Sequence, residues 1–169
     1  ALDLGTNSVF LGGVDVTTIG LNTLRAAVAF VPARPVLFGA SVRESLDPDN
    51  KATDAELLQV LRQLRIEHLA EEGLGRVFAE SVATHIGSHS IPAARHLALA
   101  RAVVQQPPLV LIDTEASAMP LRSGNRQARE SYACASAAAK ARAALRASTV
   151  LEVTYHRDAL CDFDRVLEI

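Results

Sequence analysis

Apolar residues fall into short runs in the first part of the chain. "SVFLGGVDV" contains two short apolar runs around Gly12 and Gly13, a pair that predicts a two-residue hairpin turn. After the polar turn "TTIGLNTLR", the small and β-branched residues of "AAVAFV" (26–31) predict a buried strand, and Pro32 and Pro35 end it. The pattern therefore predicts strands in this part of the chain.

From Ala52 the spacing of apolar residues becomes helical. Thr53 and Glu56 stand three residues apart, which is the spacing of a capping box at a helix N-terminus. Leucines follow at positions i, i+4 and i+7, namely Leu57, Leu61 and Leu64. The pattern predicts an amphipathic helix whose leucine face packs against the rest of the protein.

A second helix is predicted in "SIPAARHLALARAVV", directly before an apolar strand. Ser90 is the candidate N-cap, and Pro92 lies in the first turn, where proline costs little. Residues 105–108 end this helix, and "LVLID" follows at once and ends in Asp113. A buried parallel strand that delivers a carboxylate in this way is typical of sites that hold a phosphate-bound metal ion. Helix followed by buried strand predicts an α/β layer.

The last third is more ambiguous. Residues 124–147 are rich in Ala, Arg and Ser, with high helix propensity and little apolar bulk, which favours an exposed helix or a poorly packed insertion. "TVLEV" (149–153) predicts another strand, and "DRVLEI" (164–169) predicts one more. No internal repeat is visible.

Composition narrows the classes of function. With 169 residues, of which 49% are hydrophobic, the chain can bury a core and is expected to form one domain. Its net charge of -2 gives no indication of a nucleic-acid partner. No apolar run approaches the ~20 residues needed to span a bilayer, so we expect no membrane insertion by this segment.

Cys134 and Cys161 lie far apart without metal-ligand spacing, and reduced side chains are favoured over a disulfide. The chain begins with Ala, and we expect it to be an excerpt of a longer protein.

Four segments of the chain form an ordered set. They are "GVDVTTIGLNTLR", "VPARPVLFGASVRESLDP", "ALARAVVQQPPLVLID" and "TVLEVTYHRDALCDFDRVL". Together they resemble the nucleotide-binding domain of ATP-binding cassette (ABC) transporters, in particular the second cassette of the C subfamily, the multidrug-resistance-associated exporters. The first resembles the stretch after the phosphate loop, and the second resembles the Q-loop segment. The third resembles the signature helix and Walker B strand, and the fourth resembles the switch-histidine region.

The resemblance implies an α/β fold, a partial ABC-type ATPase domain. It would have a RecA-like parallel sheet core, a β-hairpin remnant and a helical signature subdomain, with the phosphate loop missing. The expected organisation is one partial domain over 1–169. Within it, 1–48 would hold the strands and Q-loop segment, 49–104 the helical subdomain and signature helix, and 105–169 the Walker B strand, the Ala-rich insertion and the switch region.

The family also implies cofactors, partners and a location. Two cassettes sandwich ATP and Mg²⁺, so a second nucleotide-binding domain and the transmembrane domains of an exporter are the expected partners. The expected location is the cytoplasmic face of a membrane.

The parts of the ATP site that the resemblance identifies do not all carry the family's residues. The phosphate-loop pattern G-x-x-x-x-G-K-[ST] does not occur in the chain. The Q-loop glutamine falls on Ala33, whose methyl group cannot coordinate a metal. The signature motif falls on "HSIPA", where Ser90 remains as the nucleotide-binding candidate and Pro92 removes one backbone N–H from the helix N-terminus.

The catalytic positions are shifted in the same way. Asp113 keeps the Walker B position and is the candidate metal ligand. The glutamate that would polarise water is replaced by Thr114, and Glu115 stands one residue late. The switch-histidine position is Tyr155, and His156 comes next. Glu115 and His156 are therefore candidate catalytic residues that are out of register, since successive side chains of an extended chain point to opposite faces. In the following loop Pro120 replaces the family's aspartate.

Several functions are compatible with this pattern. The first is a chemically impaired, degenerate cassette of a C-subfamily exporter, and the second is an active ATPase in which Glu115 and His156 both regain position. The third is a non-enzymatic interaction or scaffold module that pairs with an active cassette, and the fourth is the product of a decaying gene. A cassette without its phosphate-loop segment is also expected to leave apolar edges of its sheet uncovered.

Overall fold

A computed structural model describes residues 9–36, 41–71, 73–75, 91–113, 136–154, 160–161 and 163–167. The strands are β1 (Phe10–Leu11), β2 (Val14–Asp15), β3 (Val28–Val31), β4 (Leu109–Asp113) and β5 (Thr149–Val153). The α-helices are α1 (Leu21–Ala27), α2 (Val42–Leu46), α3 (Asp54–Leu64), α4 (Ile91–Gln105) and α5 (136–144). Short 3-10 helices cover Val16–Thr18 and Glu67–Ala70.

The predicted hairpin around the two glycines is confirmed. β1 and β2 pair antiparallel, with Phe10 opposite Asp15. Gly12 and Gly13 both have positive φ, 59° and 81°, as the favoured two-residue hairpin turn requires. Residues other than glycine, asparagine and aspartate rarely adopt this backbone conformation, which is why a glycine pair is a reliable indication of a turn.

The next stretch differs from the prediction in two respects. The polar turn contains α1, which extends through Ala26 and Ala27, because Leu, Arg and Ala are good helix formers and the β-branched residues begin only at Val28. β3 is also not buried on both faces. Val31 is 1% exposed, whereas Phe30 is 56% exposed.

The core of the fold is a parallel sheet with strand order β3-β4-β5. Val31 pairs with Ile112 across β3 and β4, and Asp113 pairs with Val153 across β4 and β5. Helices cover one face of the sheet, and the hydrophobic core lies between them and the buried side chains of Val110 and Ile112. The expected α/β class with a parallel sheet and a small hairpin is thus confirmed.

The leucine face of α3 is confirmed as part of this core. Leu57, Leu61 and Leu64 are all at most 1% exposed. The capping box is formed as predicted, since the Glu56 N–H donates to the Thr53 hydroxyl at 3.3 Å and the Thr53 N–H donates to Glu56 Oε2 at 2.7 Å.

Helix α5 corrects the expectation for the Ala-rich segment. Ala137, Ala138, Ala141 and Leu145 are buried in the core, so this part is neither an exposed helix nor poorly packed. Small side chains allow the helix to approach the sheet closely, and the stripe at i, i+4 and i+8 supplies the contact. The helical spacing of alanines, rather than the presence of large apolar residues, therefore indicates the buried face of this helix.

The predicted last strand is not formed in its described part. Residues 164–167 are not in a strand, and Leu167 is 86% exposed. An apolar sequence forms a strand only where a partner strand accepts its hydrogen bonds, and in the described residues the parallel sheet ends at β5. Among those same residues, no helix has the length and apolar character to cross a membrane.

Within the part of the chain that the structure describes, one face of the parallel sheet is uncovered. Phe30, Leu151 and Val153 are each more than half exposed, and all three lie on the face opposite Val110 and Ile112. Parallel sheets normally bury both faces. The exposed surface is a face of the sheet, whereas the sequence analysis predicted uncovered edges, and we refer to these three residues as the open face.

Candidate functional site

The carboxyl ends of β3, β4 and β5 meet at one edge of the parallel sheet. Asp113 is the last residue of the central strand β4 and is half-buried. By register it lies beside Val153, and Ile112 before it lies beside Val31. Ligands of open parallel sheets bind at the edge formed by the carboxyl ends of the strands. Asp113, the predicted metal ligand, therefore lies where this class of fold usually has its binding site.

Asp113 is held from the core side by a buried cation. Arg95, in the second turn of α4, is 6% exposed, and its Nη2 donates to the backbone carbonyl of Asp113 at 3.0 Å. This contact brings the N-terminal half of α4 to the same edge. Because strand side chains alternate, the Asp113 carboxyl lies on the open face and not on the Arg95 side.

Ala33 lies at the same edge, two residues after the end of β3, and is half-buried. In the family pattern this is the glutamine that contacts the metal. A methyl group offers neither a donor nor an acceptor, so the edge lacks that contact.

A shallow groove of about 200 Å³ follows the end of β3. Its lining combines apolar side chains with two guanidinium groups: Phe30, Pro32, Arg34, Pro35, Val36 and Arg101. Burial lowers the pKa of Arg101 from its usual value, because the protein interior disfavours the charged form.

The other predicted site residues lie outside the described residues. Ser90 precedes the first residue of α4, and Thr114, Glu115 and Pro120 follow β4. Tyr155 and His156 follow β5 after Thr154. All of them adjoin, along the chain, an element that reaches the edge at Asp113, and their roles remain predictions.

Among the described residues, this edge supplies one carboxylate, that of Asp113. Magnesium in nucleotide sites takes one or two carboxylates together with phosphate oxygens and water, and Asp113 supplies one carboxylate. No group of three or more metal-ligating side chains occurs among the described residues. The two lysines of the chain, Lys51 and Lys140, do not follow a glycine, so neither belongs to a phosphate loop. No hydrolysis step can be assigned to this set.

Two arginines with little solvent exposure were missed by sequence reasoning. Arg95 interrupts the apolar stretch of α4, and Arg142 interrupts the alanine stripe of α5. A charged residue inside an otherwise buried helix face signals a buried partner. For Arg142 the partner is Glu152, with Nη1 and Oε2 2.6 Å apart and with side chains 11% and 4% exposed.

A parallel sheet, helices over one face and an aspartate at the end of the central strand are the features expected of an ABC-type ATPase domain. Comparison with known proteins supports this. ATP-binding cassette sub-family C member 2 of Rattus norvegicus is 32% identical over 124 residues, covering 72% of this chain and 8% of its own length.

Two further relatives cover almost the whole chain. ABC transporter C family member 3 of Dictyostelium discoideum is 25% identical over 167 residues, or 98% of this chain and 11% of its own length. ATP-binding cassette sub-family C member 4 of Homo sapiens is 25% identical over 162 residues, 94% of this chain and 11% of its own length. No protein-family model matches the chain.

The chain belongs to the C family of ABC transporters. It spans about a tenth of the length of these relatives.

Proposed function

We propose that this chain is the nucleotide-binding-domain portion of an ABC exporter in which the ATP site is chemically impaired. In the family, ATP binding and hydrolysis drive transport across a membrane. The observation that carries the proposal is the placement of Asp113 at the carboxyl end of the central parallel strand, on the open face. A carboxylate at this position is suited to a phosphate-bound metal ion.

Impairment follows from the residues around Asp113. Ala33 offers no metal ligand at the end of the neighbouring strand. The carboxylate of Glu115 is one residue beyond the position that would serve a general base. General-base assistance contributes roughly 10²–10⁴ in rate, so its displacement alone would slow hydrolysis strongly.

A second candidate function is a non-enzymatic module that pairs with an active cassette. The open face favours it, because Phe30, Leu151 and Val153 expose apolar surface that is stabilised by contact with another protein segment. Under both proposals the partners are a second nucleotide-binding domain and the transmembrane domains, at the cytoplasmic face of a membrane. Glu115 and His156 would then contribute little chemistry.

The catalytic question can be tested by supplying the missing loop. A strand, phosphate loop and following helix from rat sub-family C member 2 would be fused to the chain, and ATP hydrolysis measured. We expect Thr114→Glu to increase the rate by about 10² or more, because it restores a carboxylate in the family's register. The matched substitution Glu115→Gln is expected to leave the rate unchanged.

The opposite pair of results would contradict the proposal that the one-residue shift of Glu115 impairs hydrolysis. If Glu115→Gln abolished hydrolysis and Thr114→Glu had no effect, Glu115 would be the working base. Asp113→Asn serves as the control for the metal position, since it should remove any Mg²⁺-dependent activity of the fusion.

A further inference from the structure

The backbone carbonyl of Asp113 faces the side of β4 on which β3 has already ended. The Thr149 N–H donates to the Pro108 carbonyl at 2.8 Å, so residue 108 directs its backbone groups towards β5. In a parallel ladder, alternate residues direct their backbone groups to the same neighbour, and Asp113 lies an odd number of positions further along the chain. Its carbonyl therefore points towards β3.

Strand β3 is too short to supply a donor to this carbonyl. The register pairs Val31 with Ile112, so the donor would be the N–H of Ala33 if β3 continued. β3 ends at Val31, and the next residue is Pro32, whose fixed φ and missing N–H interrupt a strand. The chain then bends at residues 33 and 34. No strand among the described residues therefore supplies a donor to the last carbonyl of β4.

Arg95 supplies that donor from helix α4. Its Nη2 donates to the Asp113 carbonyl at 3.0 Å, and the arginine is 6% exposed. A carbonyl that is removed from water needs a donor, and a charged donor forms a stronger hydrogen bond than a neutral amide. The contact uses the backbone carbonyl, whereas the carboxyl of Asp113 lies on the opposite side, on the open face.

We propose that Arg95 is a positioning residue for the Asp113 carboxylate: it replaces the missing strand partner, holds the last peptide of β4 in the sheet and thereby keeps the carboxyl on the open face. The end of a strand that lacks a neighbour on one side opens locally, and its side chain then loses the alternation of the strand. A group that orients a metal ligand changes the metal affinity without touching the metal. The use of the carboxylate as a metal ligand rests on the proposed function.

Nuclear magnetic resonance on the chain without nucleotide tests this contact directly. Arg95→Met removes the donors and keeps an unbranched side chain of similar length. We expect the carbonyl carbon of Asp113 to shift upfield, because it loses a hydrogen bond, and the amide exchange of Asp113 to accelerate about fivefold to tenfold. Exchange at Val110, in the centre of β4, should not change. Arg95→Lys keeps one charged donor and should return both signals towards the wild type.

The matched control is Arg101→Met, the same substitution on the same helix. Arg101 lies about 9 Å further along α4 and lines the groove at the end of β3. This variant should leave the carbonyl and amide signals of Asp113 as in the wild type. If Arg95→Met does not fold, Arg95→Gln takes its place, because the shorter amide does not reach the carbonyl and should produce the same local changes.

Titration with Mn²⁺ alone measures the consequence for the carboxylate. Broadening of the Asp113 and Val153 amide signals should require about tenfold more Mn²⁺ in Arg95→Met than in the wild type. Arg95→Lys should restore the response, and Asp113→Asn should abolish it. A purely structural role of Arg95 would instead change the stability of the whole sheet and leave the Mn²⁺ response of the folded protein unchanged.

Several results would overturn the positioning role. They are an unmoved Asp113 carbonyl in Arg95→Met, accelerated exchange that is uniform over the sheet, an unchanged Mn²⁺ response, and equal behaviour of the lysine and methionine variants. If the wild type itself showed no broadening at Asp113, the metal role in the proposed function would fail. The carbonyl shift and the amide exchange do not depend on a metal, so they would still support or overturn the role of Arg95.

Discussion

At the residue scale, single arginines hold segments that have little regular structure. Arg43 of α2 is an example, because it holds the connection between α2 and α3. Its Nη2 donates to Asn50 Oδ1 and to the Ala52 carbonyl, each at 2.8 Å, and Nη1 pairs with Asp54. The Ala52 N–H in turn donates to Asp47 Oδ2 at 2.6 Å. This set of bonds fixes the "SLDPDNKAT" connection and the start of α3.

Arg43→Met should reduce the free energy of unfolding by about 1–2 kcal/mol, because the bonds to three residues, including one to the part-buried Ala52 carbonyl, are lost together. Urea unfolding measures the change. The matched control is Lys51→Met in the same connection, where the pair with Asp49 is exposed, with side chains 80% and 61% accessible. That control should show no measurable loss, and equal losses in both variants would contradict the role given to Arg43.

At the scale of secondary-structure elements, helix α3 shows how the stabilising effect of an N-terminal cap depends on pH. The pKa of Glu56 is lowered by the hydrogen bond from the Thr53 backbone N–H and then by the bond from its hydroxyl. A carboxyl whose pKa is lower in the folded state stabilises it above the unfolded pKa, near 4.5, and this contribution disappears as the pH falls through the folded pKa.

We therefore expect wild type and Glu56→Gln to differ in stability at neutral pH and to converge below pH 4.5. Unfolding by urea at a series of pH values measures the difference. A gap that stayed constant down to the acid limit would show that the charge of Glu56 does not contribute to the cap. Thr53→Ala should cost about 1 kcal/mol at neutral pH.

Helix α5 gives the clearest test of packing at this scale. Ala141 is 0% exposed, whereas Ala143 on the same helix is exposed. Ala141→Leu should destabilise the protein by about 1–3 kcal/mol, because the added methylene groups have no space in the core. Ala143→Leu is expected to be nearly neutral in the same thermal or urea unfolding experiment. If both were neutral, α5 would be an exposed helix after all.

Elements with a distinctive local signal were predictable from the sequence. The Gly12–Gly13 turn, the leucine face of α3 and the strand ending at Asp113 each depend on local chemistry, and the structure contains all three. The packing of α5 and the absence of a strand over 164–167 depend on distant partners, which a local pattern does not reveal. The same holds for the contacts of Arg142 with Glu152 and with the Phe163 ring, because these residues lie 10 and 21 positions further along the chain.

At the scale of the whole molecule, the parallel sheet determines which residues reach the candidate site and which side of the site lacks cover among the described residues. The strand order β3-β4-β5 gathers Ala33 and Asp113 at one edge, while the open face leaves Phe30, Leu151 and Val153 exposed. The side chain of Asp113 lies on that same face. A nucleotide held at Asp113 would thus be exposed on the side where the described residues provide no cover.

The central claim, that this chain carries a metal-site aspartate without a working ATP site, is tested most directly by thermal unfolding with and without Mg²⁺-ATP. We expect no shift in Tm at millimolar nucleotide. Binding with micromolar affinity would add about 2.7 kcal/mol at ~100 times Kd and raise Tm by about 5–10 °C. A saturable shift of that size, lost in Asp113→Asn, would contradict the account.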